Sequence, residues 1–202
     1  MKTMEKRTFI KTSFLGITAL LFSRRTSALE YYPNQSDKKW AVLYGTWCGS
    51  ARDAGVWISE GMDGIANVFD VRENPDLSKY DYLVVGGAIR AGKVSPLLEE
   101  YLGKNGNVLK TRLRGYFAVC GNMMRPVGPE QKKAMIDDHL AKICGVEGLP
   151  SKVFLGRITF GLMEPDVRKQ MQQMAGIKEY DNLKREECMA FGKELLESTM
   201  KA

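Results

Sequence analysis

From Trp40 onward the chain alternates short apolar runs with stretches of helical spacing, and this alternation limits the fold more than any other feature. Ala41-Val42-Leu43-Tyr44 is a strand-length apolar run that stops at Gly45. Residues 51–62 then place Ala54, Trp57 and Ile58 at the spacing of one helix face. The same alternation continues with strands over 65–71, 82–85, 116–119 and 153–155, and helices over 97–102, 130–143 and about 183–199. Strands that are apolar on both faces and separated by helices predict an α/β fold, a five-stranded parallel sheet covered by helices on both sides. Ser95-Pro96 and Pro165 have the residue types of helix first turns. No repeat, linker or low-complexity stretch divides the body.

Charge separates the N-terminus from this body. The 202 residues carry a formal +6, but residues 1–28 hold Lys2, Lys6, Arg7, Lys11, Arg24 and Arg25 against Glu5 alone. The remainder is within about one charge of neutrality, so the basic stripe expected of a nucleic-acid binder is absent. A basic patch at Lys6-Arg7, an apolar run from Phe14 to Phe22 and the small residues Thr26-Ser27-Ala28 read together as a cleavable export signal. The apolar run is well short of the roughly 20 residues of a membrane-spanning helix, although an uncleaved anchor remains an alternative. Lys6-Arg7-Thr8-Phe9-Ile10-Lys11 resembles the twin-arginine pattern with Lys in the first Arg place, which implies export of an already folded chain. The expected organisation is a signal over 1–28, a short linker over 29–38 and one domain over 39–202, delivered to the periplasm.

In a doubly wound sheet, ligands sit beyond the carboxyl ends of the strands. The loop after the first strand, Gly45-Thr46-Trp47-Cys48-Gly49-Ser50-Ala51, joins two hydroxyls and two glycines to a helix N-terminus. Amide and hydroxyl donors there converge on an anion while the helix dipole favours its charge. It is neither a Walker loop nor a dinucleotide fingerprint, and Ser or Thr before a helix also serves simply as an N-cap. Trp47-Cys48-Gly49-Ser50 also looks like the thioredoxin active-site run with its second cysteine replaced, which would make Cys48 a nucleophilic thiolate. Against that reading, residues 29–39 are too few for the strand and helix that precede the thioredoxin motif.

Further loops extend the match. Val42 to Ser50 resembles the flavodoxin phosphate loop. Tyr80-Asp81-Tyr82-Leu83-Val84-Val85-Gly86-Gly87-Ala88-Ile89-Arg90-Ala91-Gly92-Lys93 resembles the second flavin loop of menaquinone-dependent protoporphyrinogen oxidases, a branch of the flavodoxin family. The resemblance runs on through Phe117-Ala118-Val119 and Phe154 to Ile158, and covers roughly residues 40–198. It implies a three-layer sandwich with strand order 2-1-3-4-5 and non-covalent FMN. By position, Thr46, Cys48, Gly49, Ser50 and Ala51 are the residues expected to hold the phosphate, with Trp47 of the same loop also expected to bind the cofactor. Ala88, Ile89, Arg90, Ala91 and Gly92, with Cys120, Gly121, Asn122 and Met123, are expected to flank the ring.

Two departures from the family pattern bear on function. Ala51 stands where a Thr is usual, which removes one hydroxyl donor and weakens phosphate binding by about 1 kcal/mol if nothing replaces it. Aromatic residues that sandwich the ring in carrier flavodoxins are missing from the second and third loops, where Ala91 and Asn122-Met123-Met124 stand. An unshielded ring suits reaction with a bound substrate. The resemblance therefore implies an FMN oxidoreductase that takes a hydride equivalent from a tetrapyrrole-like carbon acid and passes electrons to a quinone, with Arg90 as the cation that holds a carboxylate or stabilises the reduced ring. A periplasmic electron carrier and a flavodoxin-fold module without FMN are the alternatives. Contact of residues 160–174 with a membrane or an apolar substrate is a further expectation.

The lone His139 has no companions for a metal site and reads as a surface helix residue. Cys48, Cys120, Cys144 and Cys188 lack metal-ligand spacing; Cys144 and Cys188 read as small buried hydrophobes, and Cys48 and Cys120 fall on neighbouring ligand-side loops.

Overall fold

The computed structural model describes residues 37–121, 126–163, 165–173 and 177–200. The expected export signal (1–28), most of the expected linker, Asn122 and Met123 lie outside the described residues.

Five strands form one parallel sheet: β1 (Trp40–Gly45), β2 (Ala66–Asp70), β3 (Tyr82–Ala88), β4 (Leu113–Cys120) and β5 (Ser151–Leu155), in the order β2-β1-β3-β4-β5. This is the expected α/β sandwich. The pleat sends alternate residues to opposite faces. On one face, Leu43, Val85, Tyr116 and Ala118 meet Leu98, Tyr101 and Leu102 of α2 (Pro96–Lys104), Leu109 of α3 (Gly106–Arg112), and Ile136 and Leu140. The last two stand on a π-type turn, Ile136–Ala141, between α4 (Pro129–Met135) and α5 (Lys142–Cys144). On the other face, Val42, Val84, Phe117 and Phe154 meet Ala51, Ala54 and Ile58 of α1 (Ser50–Gly61) and Cys188, Phe191 and Leu195 of α7 (Arg185–Met200).

α1 and α7 approach closely because glycines line the contact. A Cβ on Gly192 would strike the carbonyl of Ile58 and the backbone of Gly61, and one on Gly61 would strike the backbone of Met189.

One segment was not foreseen as a unit. Between β5 and α7 the chain forms a strap in which β6 (Arg157–Ile158) pairs antiparallel with β7 (Tyr180–Asp181). A 3₁₀ turn (Phe160–Leu162) and α6 (Pro165–Gln173) lie between these two strands. No helix among the described residues is long and apolar enough to cross a membrane.

Candidate functional site

The strand ends place the first loop as the sequence suggests. Gly49, the N-cap of α1, has φ 83°, a left-handed conformation that glycine adopts without steric cost. Its N–H donates to Thr46 Oγ1 at 3.0 Å, which closes the loop, and it offers α1 no side-chain cap. The first-turn amides of α1 therefore face outward with no helical acceptor of their own. Ser50 is buried with its Oγ 3.3 Å from Cys48 Sγ, and the Cys48 thiol donates to the carbonyl of Arg157 at 3.4 Å. Ala51 sends its side chain into the core at 0% exposure, so only its backbone faces the loop.

The second loop is a tight turn. Arg90 N–H donates to the Lys93 carbonyl at 2.8 Å and Lys93 N–H returns the bond at 3.1 Å. Ala91 (φ 51°) and Gly92 (φ 81°) both lie in left-handed conformations. Ile89 is held from below by its N–H bond to Val119 O, 2.8 Å. Arg90 is exposed; its guanidinium lies 5.4 Å from the centre of the Trp47 ring and its Nη2 reaches Gln170 Oε1 of α6 at 3.4 Å. In the third loop Cys120 is buried, and Gly121 O accepts the Tyr180 hydroxyl at 2.9 Å. Burial, followed by the neighbouring Cys120 and Cys48 thiols, raises the Tyr180 phenol above its usual range, which keeps that hydroxyl a donor.

These loops enclose a cavity of about 160 Å³ at the carboxyl ends of the sheet. Trp47, Cys48, Ser50, Ala88, Ile89, Arg90, Cys120 and Gly121 line it, whereas Thr46, Gly49, Ala51, Ala91 and Gly92, also expected at the site, stand outside its lining. Its roof comes from the strap: Arg157, Met163, Val167 and Met171. Sequence reasoning marked residues 160–174 as a stretch that could face an apolar substrate, but it missed Arg157. The signal available was Gly156-Arg157 directly after the fifth strand, the same position that drew attention to the other loops.

Arg157 is 12% exposed and pairs with Asp53 in the first turn of α1, with Asp181 Oδ2 at 3.7 Å from its Nη1. Two donors in the cavity lining, Arg157 Nε and Trp47 Nε1, are buried with no hydrogen-bond partner. Such atoms cost free energy unless something accepts from them.

The structure adds to or alters these readings. The cavity has an aromatic wall from the first loop, Trp47, and Tyr180 of the strap bonds the third loop through Gly121 O. His139 is not a surface residue: its side chain is 15% exposed, and Nε2 accepts the Val94 N–H at 3.1 Å with Glu99 Oε1 at 3.3 Å. A thioredoxin-like role for Cys48 does not fit a buried, hydrogen-bond-donating thiol on a five-stranded all-parallel sheet. All four cysteines are buried and none is in a disulfide.

The model of the flavodoxin domain family matches residues 41–183, from β1 to just before the final helix. The chain belongs to the flavodoxin domain family. No curated protein sequence matches it. Among solved structures, the flavodoxin-domain chain is similar to a WrbA-like flavodoxin from Agrobacterium tumefaciens, with 12% identity, 82% of this chain and 99% of that one covered, and a TM-score of 0.51. It is also similar to oxidised flavodoxin 1 from Bacillus cereus (13% identity, 78% and 97% covered, TM-score 0.50). A third is the Fusobacterium nucleatum flavodoxin bound to flavin mononucleotide (11% identity, 81% and 98% covered, TM-score 0.50). At these identities the likeness establishes the fold of the flavodoxin-domain chain.

Proposed function

We propose that this flavodoxin-domain protein binds FMN non-covalently and works as a redox protein. The observation that carries this reading is the pair of buried unpartnered donors, Trp47 Nε1 and Arg157 Nε, in a cavity beside the glycine-started N-terminus of α1. Donors with nothing to bond, a helix dipole and a left-handed glycine that lets the backbone approach closely are the chemistry a phosphate needs. The donor set fits the group. The volume fits only after movement, since about 160 Å³ is below the roughly 300–1,000 Å³ of small-molecule pockets. Met163, Val167 and Met171 belong to the strap, which lies over the cavity and is not paired into the main sheet, and they are the side chains that must swing out.

Thr46, Gly49 and Ser50, with the first-turn amides, hold the phosphate end. Trp47, Ala88, Ile89, Cys120 and Gly121 provide the wall for the ring, and the apolar roof excludes water. Bound flavin supplies hydride and single-electron chemistry. Met163 and Met171 are flexible and polarisable, suited to a roof that re-forms over an apolar substrate. Arg90, exposed at the mouth and stacked on Trp47, is placed to take a substrate carboxylate. These features support an oxidoreductase that acts on an apolar, carboxylate-bearing carbon acid such as a reduced tetrapyrrole, with a quinone as acceptor. The basic, apolar and small-residue pattern of residues 1–28 supports export by a folded route to the periplasm.

Anaerobic mixing of the FMN-loaded protein with protoporphyrinogen and a menaquinone analogue tests the reaction. Saturable porphyrin formation is expected, with a KM raised several-fold by Arg90→Gln. A protein that takes up FMN yet leaves the porphyrinogen unoxidised removes the substrate class and leaves a flavin carrier.

A further inference from the structure

We propose that Arg157 is a phosphate-reading cation, stored on Asp53, which makes the cavity select a phosphorylated flavin over riboflavin. This rests on the FMN reading above and adds a residue that neither the sequence motifs nor the loop geometry assigns.

Arg157 arrives from the opposite edge of the sheet. It stands two residues after β5, the strand farthest from β2; the chain turns back at Gly156, so that the Arg157 carbonyl accepts the Cys48 thiol and the side chain reaches Asp53 in the first turn of α1. Its Nη2 stands 3.4 Å from where a Cβ on Gly49 would be, directly against the left-handed turn that opens the helix. The guanidinium is thus a second positive element at this point, beside the outward amides that carry the positive end of the helix dipole.

Its present pairing leaves capacity unused. Guanidinium grips an oxyanion best when Nε and one Nη donate side by side. Here Asp53 occupies Nη2, while Nε is buried and unpartnered. A phosphate with several acceptor oxygens completes that fork. Asp53 is not stranded by the exchange, because Arg52 already contacts its other oxygen, Oδ1, at 2.9 Å from both Nε and Nη2. One carboxylate therefore sits between two cations, and releasing Arg157 to a phosphate costs Asp53 only part of its compensation. The same charge makes good the hydroxyl missing at Ala51, whose side chain is turned into the core.

The experiment compares FMN and riboflavin affinities by quenching of flavin fluorescence in the whole protein and in Arg157→Ala, Arg157→Gln and Asp53→Asn. Removing a charge-assisted bidentate contact is expected to weaken FMN binding roughly 10- to 100-fold while riboflavin affinity changes less than about threefold. Asp53→Asn keeps the cation and removes its competitor, so FMN binding is expected to tighten with riboflavin unchanged. This arm also decides the matter if the Arg157 variants do not fold. Folded Arg157 variants with an unaltered FMN-to-riboflavin ratio, or Asp53→Asn with unchanged or weaker FMN binding, overturn the role of Arg157 and leave the flavin site standing. A wild-type protein that quenches neither flavin overturns both.

Discussion

Ala91 and His139 show how single residues set the geometry of the second loop. Ala91 holds φ 51°, a conformation that costs a residue with a Cβ about 1–2 kcal/mol. Ala91→Gly is expected to raise stability by about 0.5–1 kcal/mol in urea titrations, the relief being partly offset by glycine's greater unfolded entropy. His139, on the π-type turn, accepts the Val94 amide and so braces the far end of the same loop. Burial lowers its pKa despite the opposing pull of Glu99, with Lys93 adding to the lowering. The folded state thus holds neutral imidazole while the unfolded chain takes up its proton near the ordinary 6.5. The linked stability is full above that value and is lost as pH falls below it, towards the lower folded pKa. Unfolding midpoints are expected to decline from pH 7 to 5.5, with the decline shallower in His139→Gln, whose amide oxygen can still accept from Val94. Sequence inspection could place His139 on a helix but not against Val94, because a contact across 45 residues leaves no local signature.

The strap and the glycine contact between α1 and α7 show what individual elements contribute. Gly192→Ala drives a methyl into the carbonyl of Ile58, and overpacking of this kind costs about 1–3 kcal/mol, readable as a lower urea midpoint with an unchanged m value. The strap makes a different demand, since its side chains roof the cavity rather than complete the core. Val167→Ala and Met171→Ala shorten two of those side chains, and stopped-flow mixing is expected to show FMN association several-fold faster in each. Unaltered rates place the entry path elsewhere. The five main strands were legible because parallel strands are apolar on both faces, and each came out within three residues of its expected limits. β6 and β7 were not, because two residues cannot display a period of two. α3 escaped notice because it opens on Gly106-Asn107 and buries only Leu109, so it lacks a repeating apolar face. α6 announced its start at Pro165, yet it has no fully buried residue to show what it covers.

At the scale of the whole molecule, strand order decides the function that is possible. The order β2-β1-β3-β4-β5 brings the ends of β1, β3 and β4 together, so three loops spread over more than 70 residues of sequence meet at one cavity. Motif spacing made those loops legible as ligand-side segments, and most of the residues named from them do line the cavity. What sequence could not give was the return of the chain after β5, which seats Arg157 against the turn between β1 and α1 and brings the Tyr180 hydroxyl to Gly121 O of the third loop. The central claim is that the turn between β1 and α1 grips the phosphate of FMN, and ³¹P NMR of the protein with one equivalent of FMN reads that atom directly. The account predicts a displaced phosphate resonance that no longer titrates through pH 6, where a free phosphomonoester takes up its second proton. A resonance that coincides with free FMN and titrates normally would contradict it.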